Sequence, residues 1–218
     1  MLVPIPHCRY CWKPLKEDFK DWGICYDCNK QPSIQNGLPD RLFAATLYIP
    51  DVTKGYPHNH EITDLKEHGT YSDIYAEMLV IVLEKEGFEV NEGVIVPIPQ
   101  TKVRPGTAGP LALAESLSKL TSLPVCRCLR FIRPVRSQKG LSKNERGPNM
   151  ENSMTADSWG DAGTTILVDD IMTTCSTMIE GTRALKAAGA RDVIGLTAAR
   201  DAGIRSLEYA GVVKRVES

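Results

Sequence analysis

The chain has 218 residues, with 26 Lys plus Arg against 27 Asp plus Glu and a formal net charge of −1. Its 42% hydrophobic and 24% charged residues are those of a folded globular protein, which excludes a disordered or collagen-like chain. Without a basic excess, nucleic-acid contact needs a local patch, because phosphate binding depends on clustered Lys and Arg. The longest apolar runs, such as Met78–Leu83 and Thr165–Val168, fall far short of the about 18–20 residues of a membrane span. Met1–Tyr10 lacks the charged start and apolar block of a secretory signal. A cytoplasmic location is therefore expected, where thiols stay reduced.

Cys8, Cys11, Cys25 and Cys28 form two C-x2-C pairs separated by thirteen residues. In a reducing compartment this spacing favours a metal site over two disulfides or a redox pair. Two tight turns can each aim two sulfurs at one point, giving the tetrahedral four-thiolate shell that zinc prefers. Residues 1–38 hold little aliphatic material, so metal ligation would supply the missing folding free energy, on the order of 10 kcal/mol. Four thiolates leave no open position, so the zinc is expected to be structural. The expected division is a zinc ribbon over 1–38 and a larger domain over 39–218.

Residues 29–41 (NKQPSIQNGLPDR) are polar and turn-rich, as in a linker. Phe43–Ile49 reads as a strand. His58 and His60 fall in an expected loop, where a solvated role outweighs a metal-ligand role. Tyr71–Glu86 reads as a helix with Ile74, Met78, Leu79, Val82 and Leu83 on one face and Gly87 as its stop. Val94–Ile98 is a buried β-branched strand, and Leu111–Leu120 a helix with Leu111, Ala114, Leu117 and Leu120 in phase. Cys126 and Cys128 lie in a short expected strand, Val125–Leu129, as small apolar residues. Arg130–Asn149 contains Arg130, Arg133, Arg136, Lys139, Lys143 and Arg146 against the single acid Glu145. Such a run suits a solvated loop, or one that neutralises a diphosphate or a nucleic-acid backbone. Thr165–Val168, a helix over Thr177–Ala188 ending near Gly189, and a strand over Asp192–Ala198 complete the pattern. Strand–helix alternation predicts an α/β fold, a mostly parallel sheet with flanking helices. Ligands in such folds bind beyond the carboxyl ends of the strands.

At one such end a hydrophobic strand runs into Asp169 and Asp170, then Thr173, Thr174, Cys175, Ser176 and Thr177, then a helix. A helix start has unpartnered N–H groups and a dipole that favours an anion, and the hydroxyls add donors, which suits a phosphate monoester. The acids cannot share that phosphate, since like charges repel. They suit sugar hydroxyls, or a divalent cation held through water. A capped strand terminus of purely structural meaning is the plainer alternative.

This run resembles the phosphoribosyl diphosphate (PRPP) signature of type I phosphoribosyltransferases. The resemblance implies that Asp169 and Asp170 contact the ribose hydroxyls and that Thr173 to Thr177 hold the ribose phosphate, with Cys175 standing where Gly is usual. Further segments resemble the ComF family of competence-associated proteins, which joins a four-cysteine zinc ribbon to such a domain. They are Leu65-Lys66-Glu67-His68-Gly69, Val94-Ile95-Val96-Pro97-Ile98-Pro99, and Gln138-Lys139-Gly140-Leu141-Ser142 with Glu145, Arg146 and Asn149. The second segment would carry the diphosphate loop at Pro99, and the third a mobile loop that closes over substrate. Where that family has Arg-Gly-Phe-Asn-Gln, this chain has Arg104-Pro105-Gly106-Thr107-Ala108-Gly109-Pro110, without the aromatic and amide groups.

The resemblance implies displacement of diphosphate from PRPP by an acceptor that the sequence does not identify. Magnesium would bridge the diphosphate, and Lys66, Arg104 or Lys139 would stabilise it as it leaves. Two nonenzymatic readings accompany it. One is a PRPP- or nucleotide-sensing module whose zinc ribbon contacts a partner. The other is a DNA-uptake accessory protein working on single-stranded DNA with a helicase-like competence protein.

Overall fold

Short runs of aliphatic and β-branched residues supply the strands, and segments with apolar residues three or four apart supply the helices that cover them. The structure, a computed structural model, describes residues 8, 15, 25, 29, 37–48, 57–88, 92–100, 109–136, 141, 143–158 and 163–201. In chain order the elements are β1 (Arg41–Tyr48), α1 (Pro57–His68), α2 (Ser72–Lys85), β2 (Val94–Pro97), α3 (Gly109–Thr121) and β3 (Leu129–Phe131). They continue with α4 (Lys143–Met150), β4 (Met154–Ala156), β5 (Thr164–Met172), α5 (Ser176–Ala187) and β6 (Asp192–Asp201).

Among the described residues, four strands form one parallel sheet in the order β1-β6-β5-β2, and β3 and β4 pair antiparallel as a separate hairpin. The α/β fold with a parallel sheet and flanking helices is therefore as expected. The sheet separates two cores. On one side Ile62 and Leu65 of α1, Tyr75 and Leu79 of α2, and Leu113 and Leu117 of α3 pack with Ile166 and Val168 of β5. On the other, Leu167 of β5 packs with Met178 and Leu185 of α5 and with Leu129 and Met154 of the hairpin. Alternate side chains of β5 thus serve opposite cores, as a strand buried on both faces requires. Helices α3 and α5, which both pack on β5, lie on opposite faces of the sheet. Ligands of such sheets bind outside the carboxyl ends of the strands.

Helix α5 lies close on the sheet because position 181 is glycine. A Cβ there would sit 2.9 Å from Ile98 Cδ1 and 3.0 Å from Leu167 Cδ2. The next anchor is Glu180, buried on the same helix. Its carboxylate accepts the N–H groups of Met154 (2.8 Å) and Asn152 (3.1 Å) and is gripped by Arg183 Nε and Nη2 (2.9 and 2.8 Å). Arg183 Nη2 also donates to the Met154 carbonyl at 2.7 Å. The hairpin is thereby fastened to α5 through charge-assisted bonds.

The structure corrects several expectations. His58 and His60 lie in the first turn of α1, not in a loop. Pro57 begins that helix with a backbone angle already suited to it, and burial of Ile62 and Leu65 on one face sustains it. Val125–Leu129 is not a continuous strand: Val125 makes one bridge to Ile95, and β3 starts only at Leu129. Cys128 is buried in the hairpin core, as expected of a small apolar residue. Arg130–Asn149 is not simply a loop, since its described residues include parts of β3 and α4. Ile74 and Leu120 are exposed, because α2 and α3 also pack on each other and turn their buried faces away from those positions.

Candidate functional site

Strand β5 carries the centre of the site. Ile166, Leu167 and Val168 are buried and hold the strand between β2 and β6. Asp169 and Asp170 follow with no break and are also buried, each 8% exposed. Asp169 Oδ1 accepts the Asp170 N–H at 2.9 Å, and Asp170 Oδ1 accepts the Ile171 N–H at 2.6 Å. The Asp170 carbonyl accepts the Thr197 hydroxyl of β6 at 2.9 Å. Gly109, at the start of α3, comes so near that a Cβ there would lie 2.9 Å from Asp170 Oδ2. A negative group is well placed at that helix N-terminus.

Burial first, and then the neighbouring Asp170, push the Asp169 carboxyl up to about 8, against the pull of the Asp170 N–H and of Lys66. Burial also raises Asp170, with Lys66 the main opposing influence and the Ile171 N–H the next. Lys66, exposed in the last turn of α1, therefore stands within electrostatic reach of both acids. Two adjacent carboxyls in a dry site resist double ionisation, so the pair favours holding a proton.

Beyond β5 the chain bends through Thr173, Thr174 and Cys175 into α5. Thr173, Thr174, Ser176 and Thr177 are half-buried, and the Thr174 and Ser176 hydroxyls lie 2.9 Å apart. Cys175 caps the helix with a left-handed backbone, φ 62° and ψ 0°. Glycine occupies that conformation without strain, whereas a residue with a Cβ does not. The thiol points inward, 3% exposed. Burial above all, and Cys8 to a lesser degree, push it up, while the Arg200 guanidinium pulls it down. Arg200 Nη1 donates to the carbonyls of Met172 (3.2 Å) and Thr173 and to Cys175 Sγ (3.8 Å).

A further cation reaches the bend from α4. Arg146 Nη1 donates to Thr173 Oγ1 at 3.0 Å, while its Nε holds the Leu141 carbonyl at 3.2 Å. Pro99 is half-buried just past β2, where the Ile98 N–H donates to the Val168 carbonyl at 2.8 Å. The structure thus brings together Asp169, Asp170, Thr173, Thr174, Cys175, Ser176, Thr177, Lys66 and Pro99. It adds Arg146, quoted in the sequence only within its motif, and Arg200, which carries no motif at all. Arg104 and Lys139 lie outside the described residues, as do Cys11 and Cys28. Cys8 is buried and Cys25 half-buried, and among the described residues no three potential ligand side chains cluster around a metal position.

No protein-family model matches the chain, and no curated protein does. Among solved structures it is similar to a UMP synthase of Leishmania donovani, with 14% identity and a TM-score of 0.37 over 69% of this chain and 32% of that one. It is similar to a purine phosphoribosyltransferase of Pyrococcus horikoshii, with 14% identity and a TM-score of 0.38 over 72% of this chain and 88% of that one. A third is the glutamine PRPP amidotransferase of B. subtilis complexed with ADP and GMP, with 13% identity and a TM-score of 0.37 over 73% and 39%. The chain thus matches about a third of the UMP synthase and well under half of the amidotransferase. Among the described residues, no helix is long and apolar enough to cross a membrane.

Two outcomes test this geometry. Cys175→Gly should be more stable than Cys175→Ala by about 1 kcal/mol in urea unfolding, since both lose the thiol but only alanine keeps the left-handed strain. Equal stabilities would show that the bend carries no strain. Raised from 3.8 to about 8, Asp169 binds its proton more tightly in the folded chain than in the unfolded one. Its contribution to stability is therefore complete below pH 3.8 and is lost as pH rises through about 8. Asp169→Asn should flatten that decline and exceed wild type above this range by about 1 kcal/mol or more. Parallel stability–pH curves for the two proteins would contradict the assignment.

Proposed function

We propose that this chain is a PRPP-binding, phosphoribosyltransferase-like protein, with the ribose phosphate seated on the bend from Thr173 to Thr177 and the ribose hydroxyls on Asp169 and Asp170. The observation that carries this reading is the continuity of a buried acid pair, a hydroxyl-lined bend and a helix N-terminus at the carboxyl end of one parallel strand. The bend offers N–H and hydroxyl donors to an anion. The acid pair, only two residues before it, offers acceptors to alcohols. An esterified sugar has those two kinds of group side by side.

The reaction such a site suits is displacement at the anomeric carbon. The bond to diphosphate breaks with its electron pair leaving on oxygen, a bond to the acceptor forms, and the acceptor's proton passes to solvent. Asp169 and Asp170 would hold the ribose and favour the positive charge that develops on its ring. Lys66, beside the pair, would stabilise the departing diphosphate together with Arg104 and Lys139. Arg146, already on Thr173, would meet the phosphate seated there. Magnesium fits this donor set as a partner of the diphosphate, because it keeps much of its water and needs only one or two carboxylates. When bound, it would neutralise leaving-group charge.

The proposal includes a structural zinc on Cys8, Cys11, Cys25 and Cys28 in a ribbon over 1–38, with the catalytic-type domain over 39–218. The four soft donors fit that ion. A single-stranded DNA role draws less support from the basic run. Arg130 pairs with Asp157, Arg133 binds the carbonyls of Asn149 and Glu151, and Arg136 lies 3.8 Å from Glu145. These are contacts of solvent-exposed side chains within the hairpin and with α4, individually weak.

PRPP with magnesium should raise the melting temperature of the purified chain, since a ligand specific for the folded state stabilises it. Asp169→Asn combined with Asp170→Asn should abolish the effect and leave the fold intact by circular dichroism. Unchanged calorimetric affinity in that double variant would refute the site. Separately, metal analysis of protein purified without chelator should find about one zinc per chain, and a metal-free result would remove the ribbon.

A further inference from the structure

Arg200, the next-to-last residue of β6, is 4% exposed. Among the described residues no carboxylate lies within ion-pair distance of it. All of its described acceptors belong to the bend after β5: the carbonyls of Met172 and Thr173 and the sulfur of Cys175. Burying a cation is costly unless its charge is met. Two carbonyl dipoles and a thiol meet it only in part.

The direction of those bonds matters more than their number. In a trans peptide the carbonyl of one residue and the N–H of the next point opposite ways. With the carbonyls of Met172 and Thr173 turned onto Arg200, the N–H groups of Thr173 and Thr174 turn away from it. They precede the N–H groups of Ser176 and Thr177 at the start of α5, and successive N–H groups of this kind make an anion-binding concavity. One buried side chain therefore orients the backbone of the bend and places a positive charge beneath it. Arg146 reaches the same bend through Thr173 Oγ1, so the two guanidinium groups approach it through different atoms.

We propose that Arg200 is the positioning residue of this bend. It draws two carbonyls inward so that the N–H groups of Thr173 and Thr174 face a phosphate monoester, and its charge balances that of the bound dianion. The proposal rests on the reading of the bend as a phosphate site. It also accounts for the burial of Cys175: at the position where the helix cap needs a left-handed residue, the thiol fills the space beside the guanidinium and adds a weak acceptor.

The test uses the full chain with ribose 5-phosphate as probe, read by calorimetry and by backbone amide resonances. In wild type the amide signals of Thr173 and Thr174 should move on titration together with those of Ser176 and Thr177. Arg200→Lys should bind about tenfold more weakly, because an ammonium lacks the planar fork that holds several acceptors. Arg200→Met should lose about a hundredfold, as expected for charge-assisted bonds, with both variants judged against their own melting curves. If Arg200→Met does not fold, the wild-type amide shifts and the lysine variant decide. Motionless Thr173 and Thr174 amides in a protein that binds the probe, or wild-type affinity in either variant, overturn the inference and leave the phosphate site standing. No binding by wild type itself overturns the phosphate reading, and the inference with it.

Discussion

Two carboxyl groups on consecutive residues are buried at the end of β5, and the neighbourhood is arranged around that cost. Each takes a backbone N–H from the residue that follows it. Lys66 offsets part of their charge from α1. The start of α3 approaches Asp170 at Gly109, where no side chain intervenes. These arrangements reduce the penalty without removing it, and Asp169 stays raised to about 8. A ligand that donates hydroxyls to the pair would supply what the protein leaves unmet.

The bend beyond the pair obeys the same logic with the sign reversed. A buried guanidinium, a left-handed cap and a helix start bring positive potential and N–H donors to within a few residues of two acids. Strand β5 thus ends in a short dipolar strip, negative and then positive. The sequence separation of the two kinds of group is fixed by the two residues between them, while the orientation of the bend depends on Arg200 and Arg146.

Helix α5 carries that local design outward. Its first turn forms the bend, and one turn later Glu180 and Arg183 hold the hairpin. The hairpin leads through α4 back to Arg146 and Thr173. The cation reaching the bend from above is therefore positioned by the same helix whose N-terminus lines it. Glu180 and the bend thus sit on one helix, Glu180 about one turn past its start.

Much of the fold was legible in the sequence, since it depends on period. The helix expected over Tyr71–Glu86 is Ser72–Lys85, and the strand expected over Thr165–Val168 is the hydrophobic part of β5. The acid pair and the hydroxyl bend were legible because they are contiguous. Less was legible where context decides. Ile74 and Leu120 are in phase with their helices yet exposed, since phase does not say which of two neighbouring helices covers a face. His58 and His60 read as loop residues because a short polar stretch becomes helical only when Ile62 and Leu65 find a core. The order of chemical groups along β5 and its bend was determined by the sequence alone, because it is a matter of adjacent residues. The partnership of Arg200 with that bend, and of Arg146 with Thr173, was decided by tertiary structure. Parallel pairing of β5 with β6, and the return of the chain through α4, join residues far apart in sequence, which no local pattern encodes.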